Sequence, residues 1–209
     1  QLVQKKCRLD SRPFHVFQVM GLQLRAASCL PALAEEIRRG RLGNLDDLMD
    51  EAMGEDVYDG LSEQEQNNDT LEVGIANLLS YNFEENDSKY QELKKLLFEM
   101  MPDEKVVIFA FYRPTLAYLR RRLMADDVNI SMIHGDVPND QRWEEIERFK
   151  DPRGPRVLLS SEVGSEGIDL QFCRVVVNYD LPWNPMRVEQ RIGRIDHIDQ
   201  QTKKLSIVN

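Results

Sequence analysis

Short apolar runs alternate with helical segments in the second half of this chain, and this pattern constrains the fold more than any other feature. The run KVVIFAF, from residue 105, is continuously apolar, which suits a strand buried on both faces. Helices are predicted after Pro114, from Asn139 or Asp140, and from about Pro185. Four more strands are predicted from NISMIHG, RVLLSS, RVVVNYD and KKLSIVN. The alternation, with its short connections, predicts an α/β domain built on a parallel sheet.

The pattern along the chain predicts three regions. Residues 1–44 are predicted to be a helical linker or extension, with a break at Pro31 and a stop at Gly40. Residues 45–86 are acidic and rich in Asn, Gln and Gly, which predicts a helix followed by a mobile insert or linker. Residues 87–209 then form the α/β domain.

The α/β region opens with an amphipathic helix in the stretch NDSKYQELKKLLFEMMP. Asp87 or Ser88 can cap this helix, and Pro102 ends it. An apolar stripe is predicted along one face of the helix, made of Tyr90, Leu93, Leu97 and Met100.

Charge, cysteine content and hydropathy limit the classes of protein to consider. The formal charge of −9 argues against a plain nucleic-acid-binding surface. The charge is uneven, because residues 45–104 carry 18 acidic and 3 basic residues and leave the remainder mildly basic. Cys7, Cys29 and Cys173 are far apart, which predicts free thiols and no metal site. No apolar run approaches about 18 residues, so no membrane partner is expected.

The candidate functional stretches are those that follow predicted strands, because open parallel sheets bind ligands at the carboxyl ends of their strands. These stretches are FAFYR, IHGD, SSEVGSEGID and NYDLPWNP. In SSEVGSEGIDL, residues 160–170, the glycines let the backbone approach a phosphate or turn with positive φ. Asp169, two residues past Gly167, could take a ribose hydroxyl. A plain glycine-rich turn is the alternative explanation.

A pair of arginines follows one strand later, in QRIGRIDHIDQ. Arg191 and Arg194 are one turn apart, so they share a face if the helix continues. A guanidinium matches phosphate oxygens, and here it could stabilise charge on a transferring phosphoryl group. The spacing alone leaves open the alternative that both arginines form surface salt bridges.

Together and in order, these stretches resemble the second RecA-like lobe of superfamily 2 helicases. The stretch DLPWNP and the Q…GR…Q spacing are similar to Swi/Snf-type ATPases. The stretch SEVGSEGIDLQF looks most like the corresponding stretch of the bacterial branch that includes the RNA-polymerase-recycling ATPase. The resemblance covers residues 87–209 densely and extends loosely to residues 24–33. It implies a RecA-like parallel sheet flanked by helices, with an N-terminal helical extension.

For nucleic acid, the resemblance implies contacts by residues at the strand exits. Ser160 and Ser161 would touch the nucleic-acid backbone, and Arg113 could line its path. His134 could line the same path, although a strand-end histidine bonded to the backbone explains it equally well. Trp183 and Asn184 would sit in the turn that couples the DNA track to the nucleotide cleft.

For the nucleotide, the resemblance implies that Gln190 and Arg194 reach toward the ATP phosphates. Arg191, next to Gln190, would act with Arg194 or support it, so both arginines are candidate catalytic residues. Three residues of the glycine-rich stretch would face the nucleotide and the other lobe: Glu166, Gly167 and Asp169.

Two departures from the resembled pattern affect catalysis. His197 stands where a second arginine is usual, and Asp199 replaces a usual glycine. A neutral imidazole supplies one donor and no fixed charge near pH 7, so either Arg194 suffices, Arg191 substitutes, or hydrolysis is slow.

The sequence also has no GxxxxGK[ST] loop. The stretch MDEAMGED, residues 49–56, is close to a magnesium-binding acidic box, but its helical spacing argues against that role.

We therefore expect the C-terminal motor lobe of an ATP-dependent nucleic-acid translocase or helicase, with duplex DNA favoured as its track. The chain begins with Gln1 and LSIVN reads as a strand cut short, so we expect a fragment that is inactive alone. ATP with Mg²⁺ would be bound mainly by a preceding RecA-like lobe. RNA polymerase or another DNA-bound protein is the expected remodelled partner, in a cytoplasmic, nucleoid-associated location. A strand-separating helicase lobe and a decayed docking module are the alternatives.

Overall fold

A computed structural model describes residues 16–39, 76, 79–162, 164, 167–168, 170, 172–182, 185–193 and 205–209. The predicted stop at Gly40, most of the helix and linker predicted over residues 45–86, and the MDEAMGED stretch lie outside these residues. The chain divides into two compact units, Gln1–Asp87 and Ser88–Asn209.

The first unit contains a pair of helices, α1 (Val16–Ser28) and α2 (Leu30–Arg38), and a single turn, α3 (Phe83–Asn86). The helix break that the sequence predicted near Pro31 is observed at Cys29, where the backbone is extended, and Pro31 lies in the first turn of α2. The paired helices bury a small apolar cluster and are joined by a partly buried ion pair. These contacts involve Leu22, Leu33 and Ile37, with Arg25 Nη1 3.2 Å from Glu36 Oε2.

The second unit alternates helices and strands, as the sequence predicted. It begins with α4 (Ser88–Lys95), which continues into a π-helical turn, Leu96–Met100. The remaining elements, in chain order, are β1 (Val106–Phe109), α5 (Arg113–Ala125), β2 (Ile130–Ile133), α6 (Asn139–Lys150), β3 (Val157–Ser160), β4 (Val175–Asn178), α7 (Pro185–Gly193) and β5 (Ser206–Val208).

All five strands form one parallel sheet in the order β2-β3-β1-β4-β5, which confirms the predicted fold class. The three central strands are buried along their whole length, whereas β2 and β5, at the edges, are partly accessible. Parallel strands buried on both faces need nearly continuous apolar sequences, and VVIF, VLLS and VVVN satisfy this requirement except at their last residues Ser160 and Asn178.

One core cluster of the second unit lies between the sheet and α6. Phe109 and Leu158 of the sheet pack in one buried cluster with Ile146 and Phe149 of α6. Cys173 belongs to the same cluster, and burial raises the pKa of its thiol to about 11. Cys29 and Cys173 are buried cysteines that form no disulfide, in agreement with the predicted thiols, while Cys7 lies outside the described residues.

The apolar stripe predicted for the first helix of this unit is wrong at its last residue. Tyr90, Leu93 and Leu97 are buried, but Met100 is 65% exposed and Leu96 is buried instead. The reason is the π-helical turn, in which Met101 N donates to Leu96 O at 2.9 Å. A wider turn changes the number of residues per turn, so the spacing that predicts one face of an α-helix fails there.

Within the described residues, no helix has the length and apolar character needed to cross a membrane. The same part of the chain contains no cluster of three or more histidine, cysteine or acidic side chains that could hold a metal ion.

Candidate functional site

The sheet brings the predicted functional stretches to one edge. Phe109, the last residue of β1, pairs in register with Ser160 and Asn178, the last residues of β3 and β4. Ile133, at the end of β2, pairs with Ser160 as well. The segments that leave β1, β2, β3 and β4 therefore emerge side by side, as expected for the carboxyl edge of a parallel sheet.

Arg191, on α7, is buried at this edge and contacts two strand exits. Its side chain is only 2% exposed. Nη1 donates to Asn178 Oδ1 at 3.1 Å and to the Asp180 carbonyl at 2.8 Å, just past β4. Nε donates to Glu162 Oε1 at 3.1 Å, and Nη2 lies 2.9 Å from the same oxygen as an ion pair without hydrogen-bond geometry. The helix is thereby attached to the ends of β3 and β4.

The partners of Arg191 extend the connection to the remaining central strand and to β5. Both carboxylate oxygens of Asp180 accept the backbone N–H of Phe111, each at 2.9 Å, just past β1. Asn178 Nδ2 donates to Asn209 Oδ1 at 2.7 Å, just past β5. Arg187, one turn before Arg191 on α7, donates from Nη1 to Glu162 Oε2 at 3.0 Å. One polar network therefore joins α7 to the exits of four strands.

These contacts separate the alternatives that the sequence left open for Arg191. It does form ion pairs, but they are buried, so the surface salt-bridge alternative does not describe it. A buried guanidinium is tolerated only when it is paired and hydrogen-bonded, and Arg191 meets that condition through protein groups. Its observed contacts are those of a residue that positions α7, and a direct role at a phosphate stays a prediction.

Two buried serines lie where β3 ends and the following loop begins. Ser160 Oγ donates to the Ser161 carbonyl at 2.9 Å. Ser161 Oγ accepts the backbone N–H of Gly164 at 3.0 Å, and Ser161 N donates to Ile133 O at 3.2 Å. Both hydroxyls thus stabilise the local backbone, and their predicted contact with nucleic acid stays a prediction.

Two glycines of the same loop are required for different reasons. A Cβ on Gly164 would lie 2.7 Å from His134 Cα and 2.8 Å from Ile133 C, so this position has room only for hydrogen where the loop meets the exit of β2. Gly167 has φ +72°, in the left-handed region that favours glycine, and its surroundings are open. The positive φ that the sequence analysis considered for this stretch is therefore present.

His134 and Arg113 lie near each other at the exits of β2 and β1. Burial, followed by the positive charge of Arg113, lowers the pKa of His134, while Asp136 acts in the opposite direction. The Nδ1 atom of His134 is buried without a hydrogen-bond partner among the described residues. Arg113 is exposed and forms a two-point ion pair with Asp136, with Nη2 2.6 Å from Oδ1. Their predicted role along a nucleic-acid path stays a prediction.

The remaining predicted site residues divide between exposed positions and positions that are not described. Gln190 is exposed on α7, next to the buried Arg191. Six others lie outside the described residues: Glu166, Asp169, Trp183, Asn184, Arg194 and His197.

The sequence analysis did not single out the residues that accept hydrogen bonds from Arg191, or the arginine that shares one of those acceptors: Glu162, Asn178, Asp180 and Arg187. Arg187 could have been found from its spacing, because it precedes Arg191 by one helical turn. The acceptors had a weaker signal, since they are simply the polar residues that end or follow two buried strands.

Comparison with known proteins identifies the domain. Residues 88–199 match the helicase conserved C-terminal domain. YqhH of Bacillus subtilis, described as an uncharacterized ATP-dependent helicase, is 44% identical over 100 residues, which are 47% of this chain and 17% of that protein. The ATP-dependent RNA helicase DBP8 of Kluyveromyces lactis is 32% identical over 117 residues, 54% of this chain and 27% of that protein.

Solved structures of helicase domains are also similar to this chain. The C-terminal part of the Fun30 ATPase domain is similar with a TM-score of 0.53 and 27% identity, over 66% of this chain and 47% of that chain. Dbp5 of S. cerevisiae, solved with RNA and ADP BeF3, has a TM-score of 0.50 and 29% identity, over 58% of this chain and 32% of that chain. This chain spans less than a third of either curated relative. With more than half of its residues in the matched region, the chain belongs to the helicase conserved C-terminal domain family and has the fold of a RecA-like second lobe of superfamily 2 helicases.

Proposed function

We propose that residues 88–209 act as the second motor lobe of an ATP-driven translocase of Swi/Snf type that moves along duplex DNA. The observation that carries the proposal is the network at the carboxyl edge of the sheet. It attaches α7, which leads directly into Arg194, to the exits of the central strands. The predicted nucleotide-binding and nucleic-acid-binding stretches therefore share one rigid support.

In this proposal, ATP with Mg²⁺ lies between this lobe and a preceding RecA-like lobe that supplies the phosphate-binding loop. Closure of the two lobes brings Arg194 to the γ-phosphate, where its fixed positive charge stabilises the transition state. Gln190 is exposed on α7 and contacts the phosphates as a neutral donor. Glu166, Gly167 and Asp169 face the nucleotide from the loop after β3.

The assignment to the Swi/Snf branch rests on the DLPWNP stretch and on the likeness to the Fun30 ATPase domain, and the preference for duplex DNA rests on the Swi/Snf resemblance of the sequence. Cycles of opening and closing would move the contacts of Ser160, Ser161, Arg113 and His134 along one strand. The remodelled complex would be RNA polymerase or another DNA-bound protein in the cytoplasmic nucleoid.

A strand-separating RNA helicase is the second candidate function. It is favoured by the similarity to DBP8, named an ATP-dependent RNA helicase, and to Dbp5, which was solved bound to RNA. The two candidates share the same use of ATP and differ in the nucleic acid that stimulates it. The substitution of His197 for the usual second arginine favours a third possibility, a decayed lobe that serves as a docking module.

Steady-state ATPase activity of the full-length parent protein tests these functions. It is measured with no nucleic acid, with duplex DNA and with duplex RNA, for the wild type, Arg194→Ala and His197→Arg. We expect duplex DNA to stimulate hydrolysis and Arg194→Ala to lower the stimulated rate by about a thousandfold or more, as for other arginine fingers. His197→Arg should raise the rate if the histidine limits it.

The same measurements separate the candidates. Stimulation by RNA alone, together with strand separation, would identify the RNA helicase. An ATP hydrolysis rate that neither nucleic acid raises and that Arg194→Ala does not lower would exclude the motor function and favour the docking module. The 209-residue chain by itself is the negative control, because it contains no phosphate-binding loop of the GxxxxGK[ST] type and should hydrolyse almost no ATP.

A further inference from the structure

One carboxylate at the strand-exit edge is held by two arginines of the same helix. Arg187 Nη1 donates to Glu162 Oε2 at 3.0 Å, and Arg191 Nε donates to Glu162 Oε1 at 3.1 Å. Because Arg187 and Arg191 are one turn apart, both project from the same face of α7. The two oxygens of Glu162 are thus used by two different turns of the helix, which restrains both rotation of α7 about its axis and translation along it.

Loss of the contact between Glu162 and Arg191 would destabilise the folded protein. Arg191 is 1% exposed, so removing its counter-charge would leave a buried cation without full compensation. Glu162 is its nearest carboxylate among the described residues, at 2.9 Å, whereas Asp180 Oδ1 is 3.8 Å away. The Arg191 guanidinium lies 5.4 Å from the centre of the Phe109 ring, and the Arg187 guanidinium lies 5.9 Å from the centre of the Phe111 ring. These cation–π contacts favour a positive charge at both positions.

The position of α7 in turn affects where Gln190 and Arg194, the predicted phosphate ligands, meet the nucleotide. Gln190 lies within α7, and the helix ends at Gly193, so Arg194 is the next residue. Glu162 belongs to the loop after β3 and directly follows Ser160 and Ser161, the predicted nucleic-acid contacts. A single carboxylate therefore connects the loop expected to contact nucleic acid with the helix expected to contact ATP.

We propose that Glu162 is a positioning residue for ATP hydrolysis: by holding Arg187 and Arg191 together, it sets the place of α7 and so presents Arg194 to the γ-phosphate. This inference rests on the proposed function, because it assigns Glu162 a role through Arg194. A misplacement of about 1 Å at a reacting group can cost on the order of a hundredfold in rate, so a modest shift of α7 is enough to matter.

The test uses the full-length parent protein with its stimulating nucleic acid, under single-turnover conditions so that slow rates remain measurable. Glu162→Gln removes the charge and keeps the size of the side chain, and Glu162→Asp keeps the charge but shortens its reach. We expect each to lower the maximal hydrolysis rate about tenfold or more, with the apparent KM for ATP within about twofold of the wild type. The KM is spared because most ATP contacts belong to the preceding lobe.

A double-mutant cycle distinguishes positioning from a general loss of structure. If Glu162 acts through Arg194, Glu162→Gln should lower the rate no further in an Arg194→Ala background. Glu189→Gln is the matched control, since Glu189 is an exposed carboxylate on the same helix and its substitution should leave the rate unchanged. If Glu162→Gln fails to fold, Arg187→Gln replaces it in the cycle, because that change keeps the ion pair of Arg191.

The outcomes separate this inference from the proposed function. If Arg194→Ala lowers the rate but the Glu162 variants match the wild type, Glu162 has no positioning role and the proposed function stands. Losses that multiply in the double variant would also overturn the inference, because they mean that Glu162 acts independently of Arg194. If Arg194→Ala itself has no effect, the proposed function fails, and the role of Glu162 fails with it.

Discussion

At the residue scale, Gly164 shows how little space the loop after β3 has where it meets the exit of β2. The nearest atoms to a Cβ at this position belong to the backbones of His134 and Ile133, at 2.7 and 2.8 Å. Backbone cannot rotate away as a flexible side chain can. A methyl group there would push the loop off the strand exit and disturb the hydrogen bond from Gly164 N to Ser161 Oγ.

We predict that Gly164→Ala lowers the free energy of unfolding by about 1–3 kcal/mol, the range for inserting a methyl group into a packed site. Urea unfolding of the 209-residue protein, followed by circular dichroism, measures this difference. Gly193→Ala is the control, because a Cβ there meets nothing within 4 Å, and we expect it to change stability by no more than about 0.5 kcal/mol. Equal effects of the two substitutions would contradict the steric explanation.

At the element scale, α4 is attached to the end of α5 through Asp126. Tyr90 Oη donates to Asp126 Oδ2 at 2.7 Å, and Lys94 Nζ lies 2.6 Å from Oδ1. Burial by itself would raise the pKa of Asp126, but the hydrogen bonds from Lys94 and Tyr90 outweigh it, so the pKa lies below its ordinary value. The carboxylate therefore stabilises the folded state when it is ionised.

We predict that Asp126→Asn lowers the free energy of unfolding by about 1 kcal/mol near pH 7, the usual net value of such contacts. A carboxylate with a depressed folded-state pKa contributes stability above its unfolded pKa, and the contribution is lost as the pH falls through the folded-state value. The difference between wild type and Asp126→Asn should therefore stay constant from about pH 7 to about pH 5 and shrink as the pH falls below about 4. Urea unfolding across this range measures it.

The neighbouring Asp127 provides the matched control for this pH dependence. It is exposed and has φ +59°, a conformation that asparagine tolerates as well as aspartate does. Asp127→Asn should leave both the stability and its dependence on pH close to those of the wild type. A loss of stability as large as that of Asp126→Asn would mean that the removal of one negative charge, and not the attachment of α4, produces the effect.

At the scale of the whole molecule, the second compact unit contains a five-stranded sheet with its own core. The buried cluster around Phe109, Leu158 and Phe149 lies entirely within Ser88–Asn209, and so do all five strands. We predict that residues 88–209 fold alone, with a single cooperative unfolding transition in urea. A chain of this length can bury enough apolar surface for independent stability.

The control fragment, residues 88–172, keeps the first three strands but lacks β4, β5 and α7. It also lacks Arg191 and its acceptors on β4, so we expect no cooperative transition from it. If residues 88–209 failed to unfold cooperatively, the division of the chain into independently folding units would be wrong.

The sequence by itself determined the secondary structure of the second unit. Its five strands and the helices between them were predicted because continuous apolar runs, helix-starting residues such as Pro114 and Pro185, and short connections are local signals. The same signals gave the parallel sheet, since alternating strands and helices leave few other arrangements. Because the carboxyl edge of such a sheet is a common ligand site, the sequence also located the region of the candidate site.

Only the tertiary structure decided how individual side chains are used. Met100 was predicted to be buried, and a π-helical turn with no signal in its sequence moved it to the surface. Arg191 looked like a phosphate ligand or a surface residue, but its partners Glu162 and Asn178 lie 29 and 13 residues away along the chain. Spacing along a helix predicts which residues share a face. Whether that face meets a phosphate, solvent or a buried carboxylate depends on strands that are distant in sequence and adjacent only after the sheet has formed.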